Sequence, residues 1–176
     1  IRLTEKTTLV GHGGWADGRI GNFLQSGVLL NDYVLIQELC ELQKPDLMPP
    51  DSILTPELLM RLHALGDEAA AHFRRVVPQA LEQSDHVLVL THVPPFHEAC
   101  WHRGQISDEN WAPHFTCQAV GKALKEIMQR CPDRRMTVLC GHTHTAGQAQ
   151  ILANLTVLTG EAQYGAPKVQ QILEVE

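Results

Sequence analysis

Four histidines stand just beyond the ends of three short β-prone runs. Residues 7–10 lead into Gly11-His12-Gly13-Gly14, residues 86–91 into His92-Val93-Pro94-Pro95, and residues 136–140 into Gly141-His142-Thr143-His144. Imidazole is the commonest metal ligand and the side chain that titrates near neutrality. In sheets flanked by helices, loops beyond the strand ends converge on a rigid scaffold and hold ligands there. His12, His92, His142 and His144 can therefore meet in space although their strands are far apart in sequence. His142 and His144 would face opposite sides of a continuing strand. A turn after Gly141 lets both point into one site. Imidazoles held with carboxylates suit Zn, Mn or Fe.

The elements that position them read as a mixed α/β chain. Residues 31–42 have apolar positions at helical spacing (Val34, Leu35, Leu39, Leu42). Residues 44–51 hold three prolines and predict a loop. Thr55-Pro56-Glu57 is a helix start, with Thr as cap and Pro in the first turn. That helix is expected to reach Val77, with a kink near Gly66, and to resume after Pro78 as far as Glu82. Residues 101–115 read as irregular, and 117–130 as a helix with Val120, Leu124, Ile127 and Met128 on one face. Residues 150–152, 156–158 and 169–175 predict a run of antiparallel strands. No repeat or low-complexity segment interrupts the chain.

Composition bounds the rest. The chain has 176 residues, enough for one domain with a real core. The hydrophobic share is 44% and the charged share 19%, which excludes a disordered or fibrous chain. The net charge of -6 argues against a general nucleic-acid binder. The chain carries 10 His against 2 Tyr and 4 Phe. The five cysteines make no C-x-x-C pair, and their odd number and irregular spacing fit a reducing compartment, so a cytoplasmic location is expected. No apolar run is long enough to span a membrane, and no signal peptide is visible.

Gly141-His142-Thr143-His144 resembles the Gly-His-x-His motif of the calcineurin-like metallophosphoesterases. Thr91-His92-Val93-Pro94-Pro95 is similar to that family's isolated metal-binding histidine, and Gly11-His12-Gly13-Gly14 stands where the family has Gly-Asn-His. Order and spacing both agree from about Thr8 to the C-terminal strands. The resemblance implies a β-sandwich flanked by helices, with a helical insertion at about 31–84. It implies a phosphoesterase in which two divalent ions (Mn, Fe or Zn) clamp the phosphate and supply a hydroxide. The substrate would be a phosphorylated small molecule or other phosphoester, mono- or diester. By motif, His92 and His142 would ligate the second metal and His144 the first. His12 falls on the family's Asn, also a ligand of the second metal. Shifted by one position, it would instead stand for the family's proton-donating His. With Gly13 at that donor position, His97 or His102 would be the substitute acid.

The family's Asp-x-His and Gly-Asp motifs precede its Gly-Asn-His. Here only ten residues precede Gly11, no Asp-x-His occurs, and Gly66-Asp67 lies in a helical pattern. The expectation is a domain lacking its N-terminal β-α-β portion. The alternative reading is a non-catalytic metal-binding or scaffold domain derived from such an enzyme. Asp17 is expected either to orient His12 or to form a turn with Gly18. Arg19 is either a phosphate binder or a solvated cation. Trp101 and Trp111 are either pocket walls or loop anchors. His63, His72 and His86 need no special role.

Overall fold

A computed structural model describes residues 1–40 and 54–175. The Pro-rich loop expected at 44–51 lies outside the described residues. In chain order the elements are β1 (Thr7–His12), α1 (Asp32–Leu35), α2 (Gln37–Cys40), α3 (Pro56–Gln83), β2 (His86–Thr91), β3 (Trp101–His102), β4 (Gln105–Ile106), α4 (Ala112–Phe115), α5 (Gln118–Arg130), β5 (Arg135–Cys140), β6 (Gly147–Leu152) and β7 (Leu155–Thr159).

The apolar runs form one five-stranded sheet in the order β1-β2-β5-β7-β6. β1, β2, β5 and β7 are parallel and β6 is antiparallel at the edge. The register aligns Val10, Val89, Val138, Val157 and Ala149 in one row across the sheet. These join side chains of α3 and α5, including Phe73, Val77, Leu124 and Met128, in a single core. The pleat sends the alternate row, Gly11, Leu90, Leu139, Leu158 and Gln148, to the other face. That face is open enough to leave Leu90 42% exposed. Parallel strands usually have both faces covered. Among the described residues the only other sheet is the two-stranded β3–β4 ribbon, so the second layer of the expected β-sandwich is not formed.

Helix α3 follows its start signal. Thr55 is extended, and its hydroxyl accepts the Leu58 N–H at 3.1 Å. The helix then runs unbroken through Gly66 and Pro78, where two segments were expected. Its buried face, from Leu58 through Phe73 to Leu81, binds it to the sheet along its whole length, which outweighs the hydrogen bond lost at Pro78. Past its end, Ser84 Oγ lies 2.6 Å from Thr8 Oγ1, tying helix to β1. Within its described part, 31–40, the helix expected over 31–42 is instead two single turns, because Ile36 between them has extended backbone (φ -81, ψ 118). Tyr33 and Leu39 are buried there, while Leu35 is 77% exposed.

Segments 150–152 and 156–158 do pair antiparallel, as parts of β6 and β7. Segment 169–175 forms no strand. Both edges of β7 are already taken, by β5 and β6, and Val169 and Ile172 are 79% and 85% exposed. All five cysteines are free thiols. No helix among the described residues is long and apolar enough to cross a membrane.

Candidate functional site

The loops after β1, β2 and β5 are laced together just beyond the sheet. His92 N–H donates to the Gly13 carbonyl at 2.8 Å, and Gly141 N–H donates to the His92 carbonyl at 2.9 Å. Sheet-like pairing thus continues past the strand ends and fixes where the side chains emerge. His142 then takes a left-handed backbone (φ 68) and His144 does so again (φ 57). Such conformations cost energy in a non-glycine residue and gather at functional sites. Between the two histidines, Thr143 N–H turns back to the Gly141 carbonyl at 2.8 Å.

This lacing brings His92 and His142 together. Nε2 of His92 lies 3.1 Å from Nδ1 of His142. Trp15 stacks on His92 with ring centroids 5.6 Å apart, and Phe115 meets His142 edge-on at 5.2 Å. Burial lowers the pKa of His92, with Asp32 opposing the shift and His144 adding to it. Burial, and then His92, push His142 down to about 4, against Asp32 and the His114 carbonyl. Both rings are therefore neutral at pH 7, the form that offers a lone pair to a metal.

His144 and His102 border this pair. His144 faces Tyr164 edge-on at 4.8 Å. His102 Nδ1 lies 3.5 Å from the Thr143 carbonyl, and its ring rests on Trp111 and Phe115. Trp111 packs against His102 and Phe115 and lies under the Arg103 guanidinium. His97 and His12 are engaged elsewhere. His97 Nε2–H donates to the Ser107 carbonyl at 2.6 Å, tying two loops. His12 Nδ1 accepts the Gly14 N–H at 3.0 Å, and its ring turns to His72 on α3, 5.0 Å away. The pleat of β1 puts His12 on the same face as Val10, under the helix. His12 therefore does not join His92 and His142, and His72 acquires a neighbour that its position on a helix did not foretell.

Asp17 neither orients His12 nor only makes a turn. Its carboxylate has no exposed surface; it accepts the Ala119 N–H of α5 at 2.8 Å and the Arg19 guanidinium at 3.0 Å. Arg19 also binds Asp67, so its charge is spent. Asp32, Trp15 and His114 were not singled out by sequence. Trp15, three residues past His12, carried the one local signal. Asp32 and His114 reach the site only through the fold.

Two nitrogens bound to one zinc at 2.0–2.1 Å in tetrahedral geometry stand about 3.3 Å apart. The 3.1 Å separation of His92 and His142 suits two ligands of one such ion. It does not complete a site. Among the described residues no three His, Cys, Asp or Glu side chains form a metal-holding group. The expected four-histidine, two-metal arrangement is therefore not assembled: His12 turns to α3, His144 turns to Tyr164, and no carboxylate joins the pair. The chain matches no model of a known protein family and no curated protein, so the family resemblance rests on the short histidine motifs alone.

Proposed function

We propose that this chain carries the histidine half of a metal-dependent phosphoesterase site, acting on a phosphorylated small molecule or other phosphoester. The observation that supports it is the His92–His142 pair, facing at 3.1 Å beyond adjacent parallel strands. A divalent ion there would supply a hydroxide and polarise the phosphoryl group. His92 and His142 would hold it, and the Trp15 ring stacked on His92 and the Phe115 ring edge-on to His142 would keep their imidazoles in place. His102, which shares Phe115 with His142, would be the acid, since His97 is bonded to the Ser107 carbonyl. The reading requires a carboxylate beyond those described here. Free cysteines fit a reducing compartment such as the cytoplasm.

A second reading is a non-catalytic metal-binding domain, favoured by the lack of a third donor beside the pair among the described residues. Elemental analysis of the full-length protein, with assays on an aryl phosphate and a diester in Mn, separates the two. Bound metal and hydrolysis that falls about a hundredfold in H92A and H142A support the enzyme. Metal without hydrolysis supports the second reading. Neither metal nor hydrolysis overturns both.

A further inference from the structure

Two cavities, of about 560 and 550 Å³, adjoin on the open face of the sheet and share Leu139 and Cys140 as a common wall. The first is also lined by Gly11, Leu90 and His92. The second runs on to Leu158 and Gln148 and is lined as well by Gln170 and Leu173 of the C-terminal segment. The leucines of the sheet belong to one row of its register: Leu90 on β2, Leu139 on β5 and Leu158 on β7. Together the cavities make one trough across three strands.

The pleat ties this trough to the histidine pair. The His92–Gly13 hydrogen bond carries the pairing one residue past β2. His92 therefore follows Leu90 on the same face, two residues on, and it is itself exposed there. One imidazole of the pair thus forms the end wall of the first cavity. Gly11 keeps that end shallow, since a Cβ on it would press on Leu90 Cβ at 3.3 Å.

The lining is selective. Charged residues make up 19% of the chain, yet no Asp, Glu, Lys or Arg lines either cavity. Parallel strands ordinarily have both faces covered, and here Leu90 is 42% exposed. Such a surface gains by burying an uncharged apolar group and offers no partner to a second charge. Each cavity falls in the size range of small-molecule sites. With strands about 4.8 Å apart, Leu90 to Leu158 spans about 10 Å, the length of a chain of about eight carbons.

We infer that the trough is the alcohol-side subsite of the phosphoester. The phosphoryl group sits at His92 and His142, and the ester's long apolar chain lies across Leu90, Leu139 and Leu158. The inference rests on the phosphoesterase reading for the phosphoryl end and names the substrate class within it, an ester of a long-chain apolar alcohol. The three leucines bind the chain and take no part in bond making.

Calorimetric titration of the full-length protein in Mn tests it, with ethyl, butyl, hexyl and octyl phosphate below their micellar concentrations. Affinity should rise about two- to fourfold per methylene. Leu90→Thr keeps a strand-forming residue and removes the apolar contact nearest His92; Leu158→Thr does the same at the far end. L90T should weaken butyl and octyl phosphate alike, by about fivefold or more, whereas L158T should weaken octyl phosphate alone. The inference is overturned by a flat series from ethyl to octyl, by no binding at millimolar concentration, or by L90T, folded by circular dichroism, binding octyl phosphate like the parent. Octanol bound as tightly as octyl phosphate also overturns it, because the trough would then be separate from the phosphoryl site. A steep series without hydrolysis supports the subsite and removes the enzyme reading. Hydrolysis indifferent to chain length does the reverse.

Discussion

The Tyr33 hydroxyl lies 2.5 Å from Nδ1 of His114, whose other nitrogen lies 2.8 Å from Ser26 Oγ. Ser26 in turn donates to the Asn110 carbonyl at 2.8 Å. That last bond fixes the direction of the others. Ser26 must accept from His114 Nε2–H, so Nδ1 carries the lone pair and Tyr33 donates. His114 is fully buried, and this chain clamps the segment around Ser26 and Tyr33 onto α4, beside Phe115 and the histidine pair.

Removing the phenol hydroxyl would strand a buried lone pair. Tyr33→Phe should lower stability by about 1–3 kcal/mol, read as a shift in urea midpoint. An unchanged midpoint would mean that the Tyr33–His114 bond contributes nothing net.

The same burial makes stability depend on pH. Desolvation pushes the His114 pKa from 6.5 down to about 4. Between those values the unfolded chain binds a proton that the folded chain refuses. The stability contributed by the neutral ring is therefore full above pH 6.5 and is lost as pH falls towards 4. One such group gives a slope of about 1.4 kcal/mol per pH unit in that window. His142, pushed down to about 4 as well, adds in the same direction. Urea midpoints measured from pH 7 to 4.5 should fall, and H114Q should flatten the decline. A parallel curve for H114Q would refute the assignment.

Asp17 caps α5 from a distant loop while holding Arg19. Its carboxylate is buried and its partners would be left unmatched, so Asp17→Ala should cost about 3–5 kcal/mol. Asp67→Ala, removing the partner that is 65% exposed, should cost less than about 1 kcal/mol. Equal losses in the two denaturation curves would contradict this ordering.

Gly66 lets α3 approach the same carboxylate. A Cβ at Gly66 would lie 2.6 Å from Asp17 Cβ and 3.2 Å from its Oδ2. Alanine gains about 1 kcal/mol in helix propensity, but overpacking of this kind costs about 1–3 kcal/mol. Gly66→Ala should therefore leave stability unchanged or lower it. A clear rise in thermal midpoint would show that the contact yields easily.

Elements carried by strong local patterns were legible. The cap at Thr55, the stripe of α5 and the apolar runs of β2 and β5 all appear where spacing put them. Elements that depend on partners were not. Segment 169–175 carries apolar residues suited to a strand but does not pair, since β7 is already flanked by β5 and β6. Ile36 splits a periodic stretch into two turns that bury only part of the expected face.

The sequence by itself determined that histidines stand at the ends of three strands, because apolar runs and the glycines after them are local signals. Tertiary structure decided which of these meet. Strand register and the left-handed turn at His142 join it to His92 over 50 residues, while the pleat of β1 sends His12 to the helix. It also decided the surroundings of the pair. Asp32, His114 and Trp15 carry no spacing relation to His92 or His142, and only packing brings their charge and rings to the site.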